Sequence, residues 1–386
     1  MSFVLAVLWV IFSALLLWQL LRWLPAGADK YNPLPYIIAL LPIATYVVGA
    51  LFFVSLGASL WNYFYAPKLA QSYNFAQAYA YLCIAYAALF LISLKSYAPY
   101  WFGRLRRLRK DQLQTPENLP ANVPQTSQNS YKRRKNQPQE IRVMTLNCRY
   151  GKASAAQIIE TAKKYNVNTL LLQELSESLV KNLEELGIYE IFPTSCVGSK
   201  SEHNNGGFNA IFTQYSAIST CNNAVKIEAA SVPSVTTRLD FAASTNVFVK
   251  FASAHPKSPM RGCKAWSEGI RALASLIENA ETYETAENPK SSELSTLTIL
   301  TGDLNSTIDH PSFRTLIKAG FSDSAISLGK RLRTWPTWLK WPNLTLDHVL
   351  FCSKNLRAKA VQQKNAVIDG TDHLAYIASI ALYTLE

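Results

Sequence analysis

The chain has 386 residues, 49% of them hydrophobic, and a formal charge of +12 at pH 7. That length excludes one ordinary domain, and so much apolar content beside so much positive charge excludes an evenly mixed soluble globule. The two properties separate along the chain: residues 1–94 are almost devoid of charge, and the rest reads as a soluble domain with a basic preface.

Three apolar runs fill the first part: "SFVLAVLWVIFSALLLWQLL" (2–21), "LPYIIALLPIATYVVGALFFVSLGASLW" (34–61) and "FAQAYAYLCIAYAALFLISL" (75–94). Each has at least the roughly 20 residues needed to cross a hydrocarbon core, so residues 1–94 are predicted to form three membrane helices. Pro35 and Pro42 are expected to kink the start of the second. Trp18, Trp23, Trp61, Tyr63, Tyr65, Tyr97, Tyr100 and Trp101 cluster near the run ends, as interfacial aromatics do. The first run lacks the basic leader and small-residue cleavage site of a signal peptide, and two further runs follow it.

Residues 95–139 form the preface. "KSYAPYWFGRLRRLRK" (95–110) carries six basic residues and no acid. Beside a membrane exit such a run sets topology and touches anionic headgroups; the competing reading is a nucleic-acid patch. Residues 111–139, rich in Pro, Gln, Asn and Ser, cannot build a core and are expected to be a flexible tether. About eight basic residues flank one side of the three runs against Lys68 alone on the other, which leans toward a cytoplasmic catalytic domain with the N-terminus outside and leaves an outward-facing domain as the alternative.

From residue 140 to 386, short apolar strands recur with a few helices between them. "IRVMTLNC" (141–148) is followed by the helical "SAAQIIETAKKYN", with Ser154 as N-cap. Then come "VNTLLLQEL", "GGFNAIFTQ", "SVTTRLDFA", "NVFVKFASAH", the helical "CKAWSEGIRALASLIENA", "TLTILTGDLN", "TLDHVLFCS" and "HLAYIASIALYTL". Strands dominate, which favours a layered α/β sandwich over a doubly wound sheet. The polar stretch 281–296 reads as a surface insertion. Cys83 falls in a membrane run. The other five cysteines show no zinc or redox spacing and leave disulfides undecided.

Polar residues recur where apolar segments end. Asn147 closes the first strand and Glu174 the second; His255 follows "FVKFASA"; Asp303 and Asn305 follow "LTIL"; Asp347 opens a strand, and Asp372 and His373 precede the last. Asp303 and Asn305 are two apart and share a strand face, although an Asx turn alone would use the same residues. Carboxylates, amides and imidazoles gathered at strand ends suit a hard cation such as Mg²⁺.

The ordered set "TLNCR", "LLLQEL", "ASAHP", "TGDLN", "LTLDHVL" and "GTDHL" resembles the metal-dependent endonuclease/exonuclease/phosphatase superfamily, over about residues 140–386. "TWPTW" ahead of "LDHVL" looks like its bacterial membrane-anchored branch. The resemblance implies a four-layered α/β sandwich, two packed mixed sheets flanked by helices, preceded here by the three-helix transmembrane region. It implies Glu174 as principal metal ligand, with Asn147 assisting and Asp372 as a ligand or close support. Asp303 would activate the attacking water, Asn305 would bind phosphoryl oxygens, and His373 would contact phosphate or move a proton with Asp347 fixing its tautomer. His255 would bind phosphate or protonate the leaving oxygen. Weaker substrate-binding candidates are Arg149, Asn209, Trp335 and Trp338, while His203, His310 and His348 read as structural.

The expected activity is Mg²⁺- or Mn²⁺-dependent hydrolysis of a phosphodiester by activated water, nuclease-like. The alternative is a phosphorylated lipid or lipid-linked sugar in the membrane, and a third reading is an inactive membrane interaction module. The expected partners are a phosphoester substrate, nucleic acid or lipid-borne, and the bilayer itself. No protein partner is implied.

Overall fold

The computed structural model describes residues 3–65, 70–113, 139–199, 207–241, 245–278, 294–341 and 344–383. Most of the expected tether, from 114 to 138, and of the expected insertion, from 281 to 293, lies outside the described residues, as does His203. The chain divides into two compact units: Met1–Pro99 with Ile308–Pro311, and Tyr100–Thr307 with Ser312–Glu386.

The first unit is helical: α1 (Phe3–Leu20), α2 (Leu34–Ala39), α3 (Leu41–Tyr65) and α4 (Ala70–Ser93). Three stretches, Phe3–Trp23, Leu41–Phe64 and Gln77–Ser96, are long and apolar enough to cross a membrane. The second begins seven residues later than the sequence run, because the helix breaks at Leu40. Pro42 lacks an amide hydrogen and its ring clashes with the preceding turn, so it starts a helix rather than continuing one. Leu5, Leu15, Val48, Leu82, Tyr86 and Leu89 form the interior of this unit. Phe3, Val10, Leu17, Phe53, Ile84 and Leu91 point outward, as apolar side chains do on helices solvated by lipid. The Tyr86 hydroxyl donates to the Leu8 carbonyl at 2.9 Å. Arg22, in the short turn after α1, donates to Gln19 Oε1 at 2.6 Å and Ser96 Oγ at 3.1 Å. Within the same unit, Ser96 Oγ donates to Asp309 Oδ1 at 3.0 Å, and His310 Nε2 lies 2.9 Å from the Pro35 carbonyl.

The second unit opens with α5 (Ala98–Leu113), which turns the start of the basic preface into a helix. Gly103 lets α5 approach backbone to backbone: a Cβ there would collide with the Ile326 carbonyl oxygen. Most of the run 95–110 is therefore helical and meets Ile326 at Gly103, where its sequence pointed to a segment that sets topology and touches anionic headgroups.

Two six-stranded sheets follow. One has the order β11 (Arg357–Val367), β12 (Leu374–Tyr383), β1 (Gln139–Asn147), β2 (Thr169–Leu175), β4 (Phe208–Thr213), β3 (Thr194–Val197). The other runs β5 (Ala217–Cys221), β6 (Ser234–Phe241), β7 (Thr245–Ser253), β8 (Ser295–Asp303), β10 (Asp347–Lys354), β9 (Ser322–Asp323). Each has one parallel pair at its centre, β1 with β2 and β7 with β8, flanked by antiparallel neighbours. Parallel neighbours need a helical crossover, and α6 (Ala155–Lys164) and α9 (Pro259–Ala272) supply them. The sheets pack face to face over Ile141, Val143, Leu171 and Ile211 from one and Val249, Phe251, Ile299 and Val349 from the other. Burying each such side chain contributes about 1.5–3 kcal/mol.

Outside the first sheet, α6, α7 (Glu177–Glu185) and α8 (Ile188–Ile191) bury Ile158, Leu179, Leu183 and Ile188. Ser154 caps α6 by accepting from Gln157 N, and Ser176 caps α7 by accepting from Leu179 N. Beside the second sheet lie α9, α10 (Ser275–Glu278), α11 (Phe313–Ala319) and α12 (Ser324–Ser327), burying Trp266, Ile270, Phe313 and Ala325. The expected single helix at 263–280 is two, α9 and α10. Two mixed sheets flanked by helices make the four-layered sandwich. The strands absent from the sequence reading, β3, β5, β9 and β11, are the four edges of the two sheets and are short or polar, as edges usually are.

Candidate active site

The polar residues at strand ends converge because the two central parallel pairs finish side by side. Asn147 ends β1 and Glu174 sits at the end of β2; its backbone is left-handed, φ 52°. His255 lies just past β7, and Asp303 ends β8, directly opposite Asp347 at the start of β10. Gly302 makes this approach possible: at φ 144° its missing Cβ leaves room for the Ala254 carbonyl, bringing Asp303 up against the segment that carries His255. Left-handed backbone at Glu174, Asn305, Arg149 and Tyr150 is costly for residues with a Cβ and gathers around one cleft, as stored strain does at functional sites.

The hydrogen bonds are specific. The Asn147 amide nitrogen donates to Glu174 Oε1 at 3.1 Å and to Asp303 Oδ2 at 3.0 Å, so it bridges the two carboxylates. Its own oxygen accepts from Arg149 N at 2.9 Å. Glu174 Oε2 accepts from Tyr150 N at 3.0 Å. His255 Nε2 stands 3.7 Å from Glu174 Oε1 and 3.6 Å from Asp303 Oδ2, within ion-pair range, and its buried Nδ1 meets no partner among the described residues. His373 Nδ1 is 2.9 Å from Asp347 Oδ2, and its Nε2 is 3.5 Å from Asp303 Oδ2. Burial pulls the His373 pKa down, but the charges of Asp347, Asp303 and Asp372 and the Asp347 hydrogen bond outweigh it and hold the ring at about 10. Asn305 N donates to Asp303 Oδ1 at 2.9 Å, and its side-chain amide donates to the Pro256 carbonyl at 3.3 Å.

The remaining candidates lie at different distances from this cluster. Asp372 turns its Oδ2 to the Trp335 indole at 3.1 Å and its Oδ1 to Arg149 Nε at 3.7 Å, so both oxygens already face donors at the rim. Trp335 packs edge-on against Trp338, which is 67% exposed. Asn209 is buried and donates to the Ser231 carbonyl at 2.9 Å; no described hydrogen bond ties it to the cluster. Sequence reading missed two hydroxyls that hold the scaffold. Thr371 Oγ1 donates to the Asn147 carbonyl at 2.7 Å and accepts from His373 N, and Thr334 Oγ1 accepts from Asp347 N at 3.1 Å. A threonine directly before "DH" in "GTDH" was the available signal.

The donor set fits a divalent cation. Asp303 stands directly opposite Asp347 and Asn147 ties Glu174 to Asp303, so three carboxylates share one cleft in which both aspartates are buried. Buried carboxylates need compensation, and hard oxygens suit Mg²⁺ or Mn²⁺. Among the described residues, Asp303, Asp347 and His373 form a group whose ligand atoms lie within 4.8 Å of one another. Glu174 and Asn147 border it through Asp303.

The model of the Endonuclease/Exonuclease/phosphatase family matches residues 144–373, more than half of the chain. No curated protein matches it. Solved structures resemble it in fold. A humanized D. rerio TDP2 is 16% identical, covering 62% of this chain and 98% of that one, with a TM-score of 0.45. An endonuclease/exonuclease/phosphatase family protein from Bacteroides thetaiotaomicron is 13% identical, with 65% and 97% covered and a TM-score of 0.42. Sphingomyelinase C from Streptomyces griseocarneus is 15% identical, with 62% and 99% covered and a TM-score of 0.41. The family match spans every strand end from Asn147 to His373, and the chain belongs to the endonuclease/exonuclease/phosphatase family, the metal-dependent hydrolases of phosphoester bonds.

Proposed function

We propose that this chain is a membrane-anchored phosphodiesterase, nuclease-like in its chemistry, that uses Mg²⁺ or Mn²⁺. The observation that carries the reading is the bridge from Asn147 to both Glu174 and Asp303, with His255 and His373 flanking the same carboxylates. Glu174 and Asn147 would hold the cation, with Asp372 in support at the rim. When bound, the cation neutralises charge that develops on the phosphoryl group and acidifies water. Asp303 accepts a proton from the attacking water, and its Oδ1 bond to Asn305 N keeps Asn305 beside it. Asn305 and His373 hold phosphoryl oxygens. Asp347 fixes the proton of His373 on Nδ1, which leaves Nε2 to face the cleft. His255 donates a proton to the leaving oxygen or clamps the phosphate, and Arg149 adds charge at the mouth. Asn209 stays a weaker candidate for the substrate.

A second reading, a phosphorylated lipid or lipid-linked sugar, is favoured by one feature. Trp338, Leu339 and Trp341 are exposed on the segment that Trp335 and Thr337 tie to Asp372, and large exposed aromatics beside a lysine suit a bilayer interface. For the membrane itself, the support is three helices of spanning length, and the distribution of basic residues leans toward a cytoplasmic catalytic unit. Reporter fusions after Glu386 test the side: activity only of a reporter that works outside the membrane overturns it.

The substrate test uses full-length protein in detergent and in vesicles, with plasmid DNA, RNA, an aryl phosphodiester and phospholipid. Cation-dependent cleavage of the diesters supports the first reading. Turnover confined to vesicle lipid replaces it with the second, and cation-independent turnover overturns both.

A further inference from the structure

Behind the cleft stands a second buried Asp–His pair that the proposed chemistry does not use. Successive residues of a strand face opposite ways, so where Asp347 looks into the cleft His348 looks away from it. His348 Nδ1 lies 2.8 Å from Asp323 Oδ2, and its Nε2 lies 2.9 Å from the Ser306 carbonyl oxygen. A backbone carbonyl only accepts, so Nε2 must carry a hydrogen. The ring has no freedom to turn away. Phe313 packs on it with centroids 4.4 Å apart, and His348 and Asp323 are both almost wholly buried. Asp323 is fixed in turn, since its Oδ1 caps α12 by accepting from Ile326 N at 3.0 Å.

What this pair grips is the turn that carries Asn305. Asn305 sits in left-handed backbone at φ 49°, a conformation that an amide residue tolerates but does not choose unaided. The surrounding turn is pinned residue by residue. Leu304 N donates to the Leu346 carbonyl and Trp266 Nε1 donates to the Leu304 carbonyl. Asn305 N donates to Asp303, and the Ser306 carbonyl accepts from His348. On the C-terminal side of Asn305, His348 holds the Ser306 carbonyl.

We infer that His348, braced by Asp323 and Phe313, is a positioning residue that holds the Asn305 turn in its active geometry through the Ser306 carbonyl. The catalytic consequence rests on the role proposed above for Asn305; the structural one does not.

The two ring nitrogens can be replaced separately. In His348→Gln the side-chain amide nitrogen reaches the place of Nε2 and restores the donor to Ser306. In His348→Asn the shorter amide matches Nδ1, keeping the Asp323 contact and losing Ser306. The experiment measures hydrogen–deuterium exchange of segment 304–306 and steady-state kinetics on an aryl phosphodiester, both on the full-length protein. The expected result is exchange in 304–306 at least ten-fold faster in His348→Asn, with β1 unchanged. Its kcat should fall about ten- to a hundred-fold with KM nearly constant, as expected when positioning of an attacking constellation is lost. His348→Gln should stay within about three-fold of wild type in both, the size of effect left when a hydrogen bond is replaced rather than removed. Equal exchange in the two variants overturns the inference, and so does faster exchange with unchanged kcat. If the wild-type protein hydrolyses no phosphodiester, the exchange arm still decides the structural claim while the functional reading fails separately. Should His348→Asn not fold, His348→Leu combined with Asp323→Asn, which removes the donor to Ser306 without stranding a buried carboxylate, replaces it and is read the same way.

Discussion

The two buried Asp–His pairs of the second unit differ in little but direction. Asp347–His373 closes at 2.9 Å and Asp323–His348 at 2.8 Å, and the two are joined at consecutive residues of β10. Both rings titrate above their ordinary value even though burial opposes it, because a carboxylate faces each. The difference is at the second nitrogen. His373 Nε2 meets another carboxylate, Asp303, and the cleft beyond it; His348 Nε2 is saturated by a backbone carbonyl. An imidazole with one nitrogen committed and one facing a cleft can hold a phosphate or move a proton, and one with both committed can only hold structure. Chemistry here is set by what the second nitrogen is left to do.

The sharpest way to break that contrast is to remove the carboxylates that Asn147 bridges in the cleft. Glu174→Gln and Asp303→Asn should each lower kcat by orders of magnitude, with thermal unfolding midpoints within a few degrees of wild type, because neither carboxylate packs the core. Near-normal turnover at saturating Mg²⁺ in either variant would remove the cleft side of the comparison. Next come the partners themselves. Asp347→Ala and His373→Ala should each cost about 10²- to 10⁴-fold in kcat, the range of acid–base assistance, and the double variant should lose little more than either single. Rate losses that multiply would show the two acting independently.

A pH experiment sharpens the same pair. The folded His373 value, about 10, is above the unfolded histidine value of about 6.5. Its contribution to stability is therefore complete below the unfolded value and is lost as pH rises through the folded one. In metal-depleted protein, stability should fall between those limits, and His373→Gln should flatten the slope. An unchanged slope in the variant assigns the titration elsewhere. The smallest effect is expected from Trp335→Phe, which deletes the indole donor to Asp372 and leaves the ring. It should raise KM a few-fold and spare kcat, a modest loss typical of one hydrogen bond at a partly open rim. A large fall in kcat would move Asp372 from the rim to the reacting centre.

The contrast also explains what could be read from residues alone. Asn147, Glu174, Asp303 and His373 announce themselves because each is a polar residue at the end or just before the start of an apolar strand, and the structure brings them into one cleft. The sandwich followed from the same strands, whose centres are buried on both faces. His348 was invisible as anything but structural, since its partners come from 25 and 42 residues away and no spacing rule links "SD" at 322–323 to "DH" at 347–348. The edge strand β11, "RAKAVQQKNAV", was missed because an edge keeps its lysines and glutamines and loses the apolar signature. The close approach of α5 to Ile326 at Gly103 is a tertiary contact that local charge does not encode.

The account stands most directly on the carboxylate bridge at the cleft. The measurement is hydrolysis of an aryl phosphodiester by full-length wild type and Glu174→Gln, each titrated with Mg²⁺ from a chelated start. The account predicts no turnover by wild type under chelation, saturable recovery with added Mg²⁺, and no recovery in Glu174→Gln at any concentration. Wild-type turnover that survives chelation, or a Glu174→Gln protein that reaches the wild-type rate, would contradict it.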